Sequence, residues 1–179
     1  MEALFPGLSL ALNVHPLFVH FPIVLWLTAL LFWGLALGLE RDVLWDMGRW
    51  LLYLGALGAL AAVGTGLWAE EHLGHDSPAH DLVHVHRNWM LSTTGLGLVT
   101  AVVAFATRSR TTRGARWGLC GLLLLTAAVM TLGADRGARL VYGHGIGTTR
   151  EVTSHASEAA SQPEESGSAA EHDAHDHHH

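Results

Sequence analysis

The sequence predicts an all-α fold: an integral membrane four-helix bundle followed by a disordered C-terminal tail. Three observations predict it. Four long runs, 16–39, 50–69, 89–107 and 117–134, hold no Asp, Glu, Lys or Arg. Charged residues make up 15% of the chain and hydrophobic residues 50%, where soluble domains carry about 25% charged residues. The polar residues that remain are concentrated at the end. From Glu151 onward come seven acids, no Lys or Arg, and a run of Ser, Ala and Glu.

Each uncharged run reaches about the 20 apolar residues that a bilayer core requires. Only helices suit such segments, because lipid offers the backbone no hydrogen-bond partner. A soluble bundle would need a polar stripe along each helix, and none of the runs has one. With their flanks the helices are expected at about 16–39, 48–71, 82–107 and 115–142, giving a membrane domain of residues 1–148 and a tail of 149–179. Helix two carries Gly55, Gly58, Ala62 and Gly66. Helix four opens with Gly114 and Gly118 at GxxxG spacing. Small residues of this kind let helices approach closely; ordinary bundle packing is the expectation, and a homo-oligomer contact the alternative.

Orientation follows from the ten arginines, the chain having no lysine. Arg41 and Arg49 fall in the first connection, and Arg108, Arg110, Arg113 and Arg116 in the third. The second connection holds Arg87 against Glu70, Glu71, Asp76 and Asp81. The positive-inside rule places the first and third connections in the cytoplasm and both termini outside, as in a multi-pass protein of a bacterial inner membrane. Arg136, Arg139 and Arg150 pull the other way. Trp50, Trp68, Trp89 and Trp117 fall at run ends, as interfacial indoles do. The first arginine is Arg41, so there is no basic segment of a signal peptide and the first helix is expected to be retained. No basic stripe points to nucleic acid. Cys120 is the one cysteine. It allows neither an internal disulfide nor a CxxCH attachment of c-type haem.

Histidine is the informative residue. There are fourteen, and on this topology those outside the tail fall on the outer side: His15 and His20 at the start of helix one, His72, His75 and His80 in the second connection, His84 and His86 before helix three, and His144 after helix four. Ionisable groups in a membrane are costly and mark functional candidates. Pro22 removes a helical hydrogen bond near His20, and glycines around His144 suit a tight loop over the outer mouth of the bundle.

Several imidazoles at one level fit three kinds of chemistry. The first is a b-type haem with one axial imidazole on each face, held by His20, His86, His144 and His15; lacking a partner centre in the other leaflet, it would exchange electrons at the outer face only. The second is a transition-metal site with mixed nitrogen and oxygen donors for Fe, Cu or Zn, from His84, His72, Glu71 and Glu70. His80 and His84 form an i, i+4 pair able to share a metal. The tail residues His172, His175 and His177 add a weak metal-binding tract. The third is proton relay by groups that titrate near neutral pH. No nucleotide-binding glycine loop, HExxH or serine elbow is present, so the chain reads as an electron-transfer or binding subunit rather than an enzyme by itself.

The segments HPLFVHFPIVL at 15–25 and LVYGHGIG at 140–147 resemble the HPxxVHFPIxL and GGxLVYxHGxG motifs of a bacterial family of predicted four-helix membrane proteins, a domain of unknown function. The resemblance covers about residues 10–150. It marks His15, Pro16, His20, Pro22, Tyr142, His144 and Gly145, and a histidine early in helix three for which His86 is preferred to His84. The sequence departs from the leading glycine pair, with Gly137, Ala138 and Arg139 at that place. Family members are sometimes joined to cytochrome c-like domains, which implies a redox setting. The leading expectation is therefore a membrane redox module that binds haem b and serves a periplasmic cytochrome c or a respiratory subunit. A divalent-metal binding or transport component and a non-catalytic membrane subunit are the alternatives.

Overall fold

A computed structural model describes residues 14–71, 80–109 and 112–145. These form four helices: α1 (His15–Leu39), α2 (Asp42–Glu71), α3 (His80–Ala106) and α4 (Arg113–His144). There is no strand among the described residues. The loop residues His72 and His75 and the whole tail, including His155, His172, His175 and His177, lie outside the described residues.

All four helices are long and apolar enough to cross a membrane. Their outward faces carry large apolar side chains, among them Leu31, Leu57, Val102 and Leu124, each more than half exposed. Such a surface is stable against lipid and not against water. The buried polar residues Thr93, Thr100 and Thr126 return their hydroxyls to carbonyls of their own helices, which satisfies them without a neighbour.

The helices run up and down. α1 packs on α2 and α3 on α4, and the two hairpins meet through α2–α3 and α1–α4. One end collects arginine: Arg116 pairs with Asp42 at 2.7 Å and Arg113 with Glu40 at 3.2 Å. The other collects every described histidine. We refer to the arginine end and the histidine end.

α2 begins six residues before its expected start, which shortens the first connection to Glu40 and Arg41. The reason is Trp45. It is buried and stacks on Trp33, with ring centroids 4.5 Å apart, while Asp42, Asp46 and Met47 on the same turns face outward. The tight turn is closed by Glu40 in the left-handed region (φ 53°), a conformation that costs a residue with a side chain roughly 1–2 kcal/mol. α4 starts on Thr112, whose hydroxyl accepts from the Ala115 N–H, a helix N-cap.

Indoles set the spacing of the core. Trp26 donates to the Leu52 carbonyl at 3.2 Å and Trp33 to the Trp45 carbonyl at 3.1 Å. Gly55 and Gly48 lie beneath these two rings, and Gly97 of α3 lies under the far edge of Trp26. Gly58 receives Phe21 and Pro22. The glycines of α2 thus serve packing within the chain. Gly114 and Gly118 face open space instead.

Candidate site at the histidine end

His15, at the start of α1, and His86, on the second turn of α3, each reach across to the neighbouring helix. Nδ1 of His15 donates to the Ala62 carbonyl of α2 at 3.0 Å. Nδ1 of His86 donates to the Gly133 carbonyl of α4, also at 3.0 Å. A carbonyl can only accept, so both rings carry their proton on Nδ1. His15 has a second neighbour, Thr65 Oγ1 at 3.3 Å; that hydroxyl spends its own proton on α2 carbonyls and so accepts here too. Nε2 of each ring is left with its lone pair.

Each ring rests on a glycine. A Cβ placed on Gly66 would lie 2.9 Å from Cε1 of His15; one on Gly137 would lie 2.8 Å from Cε1 of His86. No other residue type leaves the ring this position. A histidine fixed through Nδ1 on a carbonyl, with Nε2 free, is the arrangement that orients a metal-ligating imidazole.

His20 and His144 are placed differently. Both are exposed. Nδ1 of His20 donates to the Pro16 carbonyl of its own helix at 2.6 Å, and that of His144 to the Arg139 carbonyl at 3.3 Å. At about 1.5 Å of rise per residue, His20 lies roughly 7 Å deeper than His15, and His144 roughly 10 Å beyond Gly137. The histidines of the closing and opening motifs are therefore spread along the bundle axis rather than gathered at one level. Pro22, the expected break beside His20, is buried against Gly58. The expected glycine loop over the mouth is helical as far as His144. Leu140 packs inward and continues the core face, and the helix stops at Gly145, whose left-handed φ of 70° lets its N–H cap the Leu140 and Val141 carbonyls, as glycine does at helix ends.

The alternative metal residues gather partly. Nε2 of His80 and Nε2 of His84 are 2.8 Å apart. Nδ1 of His84 is 3.4 Å from a Glu70 carboxylate oxygen, which Arg87 also holds at 2.6 Å. Glu71 is exposed at the end of α2. Among the described residues no group of three or more histidine, cysteine or acidic side chains is arranged to hold a metal ion.

Sequence reasoning ranked His15 behind His20 and His144 and passed over Ala62, Thr65 and Gly133 as site residues. One signal was available: the interval from His15 to Gly66 equals that from His86 to Gly137.

A family model described as "Predicted membrane protein (DUF2231)" matches residues 11–150. No curated protein matches, and no solved structure matches.

Proposed function

The chain belongs to this family of predicted membrane proteins, and from that premise we propose that it is a membrane redox module holding a b-type haem between His15 and His86. The observation that carries the reading is the shared state of the two imidazoles. Each has its proton fixed on a backbone carbonyl and its Nε2 lone pair left over, and each comes from a different hairpin of an apolar bundle. Axial ligation of haem iron needs one such nitrogen per face and an apolar slot. When bound, the group would supply one-electron ferric–ferrous chemistry. This chain's residues would orient the ligands and keep water from them. The arginine asymmetry supports an extracytoplasmic histidine end. The electron partner would then be an exported c-type cytochrome or a respiratory subunit facing the same compartment.

The test is an optical spectrum of the detergent-purified protein from haem-supplied cells, before and after dithionite. A Soret band and sharp reduced α and β bands are expected. They should disappear in the His15→Ala/His86→Ala double variant and persist in His20→Ala and His144→Ala. A featureless spectrum from the folded wild type would sink the reading.

A second reading has its own observation, the close His80–His84 pair backed by Glu70. Carboxylate-backed histidines bind divalent transition metals. On this reading Zn²⁺ or Co²⁺ raises the melting temperature of the full chain, and His84→Ala removes that rise. An equal rise in the variant would assign the metal to other donors such as the tail.

A further inference from the structure

Adding 71 to a residue number carries the first hairpin onto the second. His15 becomes His86, its carbonyl partner Ala62 becomes Gly133, and its seat Gly66 becomes Gly137. Both hydrogen bonds are 3.0 Å long and both span 47 residues. From the two seats, Cε1, Nδ1 and Nε2 lie at 2.9, 3.2 and 3.6 Å in one hairpin and at 2.8, 3.1 and 3.5 Å in the other. The same shift takes the first residue of α2, Asp42, to the first residue of α4, Arg113. Of the twelve buried residues of α1 and α2, ten have a buried mate on α3 or α4. Leu52 and Leu123 are one such pair, and Trp26 and Gly97 another. One hairpin geometry is used twice.

The packing gives the operation that relates the copies. Exchanging α1 with α3 and α2 with α4 returns the same set of helix contacts, as a two-fold rotation does. Both copies begin at the histidine end, so the axis runs along the bundle, as for parallel membrane repeats. Residues that meet their own mates lie at this axis. Trp26 meets Gly97. Each imidazole is tied by Nδ1 to the second helix of its own hairpin, with Nε2 3.6 Å (His15) and 3.5 Å (His86) from the Cβ position of its glycine seat there.

We propose that the ligand of the histidine end sits on this pseudo-two-fold axis and is bound by two equivalent half-sites, Nε2 of His15 on one side and Nε2 of His86 on the other. This rests on the haem reading for the identity of the ligand and adds its placement and symmetry. The ligand is a planar, two-faced group that accepts one imidazole on each face. Neither histidine is the dominant ligand.

Two measurements on the full chain separate the symmetry from the haem. The first uses His15→Gly and His86→Gly singly, with haem per chain read from the Soret band, with and without added imidazole. The two variants should lose haem to the same extent, within about twofold, and regain it at similar imidazole concentrations. Retention in one variant and loss in the other would overturn the equivalence while leaving haem binding intact. The second measurement needs no haem. In a Cys120→Ser background, His15→Cys and His86→Cys together should be joined within one chain by a short bis-maleimide, and neither single variant should react so. If the wild type holds no haem but the cross-link forms, the haem reading fails and the axial placement stands. If the cross-link fails in protein that melts as the wild type does, the placement is overturned.

Discussion

Gly97→Leu is expected to destabilise the bundle more than any other single substitution in α3. A side chain at this position would enter the space of the Trp26 ring edge. Trp26 cannot retreat: it is 1% exposed, its N–H is spent on the Leu52 carbonyl, and its near edge already lies on Gly55. Forcing bulk into a filled core costs about 1–3 kcal/mol. The effect is sharp in a membrane, where packing rather than exclusion from water holds helices together. The measurement is thermal unfolding in detergent. Trp26→Ala should also destabilise, because it leaves a cavity where the indole stood. Combining the two places the leucine in that cavity, and the pair should recover part of the loss. Such coupling is the mark of residues in direct contact. Additive losses would mean that the indole does not stand on Gly97.

The fold was legible because its signal is redundant. Four runs without a charge leave no other way to satisfy the backbone in lipid, and the observed helices overlap all four expected spans. What sequence misplaced were ends and connections. Asp42 and Asp46 read as loop, because their charge gives no hint that Trp45 between them is buried against Trp33. Gly143 and Gly145 read as loop for a similar reason. Only the second of them ends a helix, and a glycine does not announce which role it has.

The site was half legible. The clustering of histidine at one end follows from topology alone, since helix starts and ends alternate in an up-and-down bundle. Which histidines turn inward does not follow. His20 stands in the same opening motif as His15 yet is exposed and bonded to its own helix. His15 turns inward because Gly66 leaves space for its ring and Ala62 offers a carbonyl. The duplication was hidden because buried positions keep their place while changing their residue. Where one hairpin has Trp26, the other has Gly97, and a two-fold contact between mates can hold one large and one small side chain but not two tryptophans.

On the haem proposal, Gly66→Val and Gly137→Val should each cost the protein its haem without touching either histidine. A β-branched side chain on either seat takes the space of the imidazole, whose Cε1 already lies within 3 Å of the modest Cβ position. The ring must tilt, the Nδ1 bond to Ala62 or Gly133 is lost, and Nε2 leaves its place. Binding geometry tolerates about half an ångström of such movement, and loss of the partners that orient a ligating histidine costs about 10–100-fold in affinity. Haem retained per chain after purification should therefore fall about tenfold or more in both variants, and to similar extents. Two substitutions serve as controls. A Cβ on Gly64 of α2, or one on Gly95 of α3, meets nothing within 4 Å. Gly64→Val and Gly95→Ala should keep their Soret band, and all four variants should melt near the wild type. If Gly66→Val kept its full haem while His15→Ala lost it, the imidazole would bind from another position, and the seat on Gly66 would belong to packing alone.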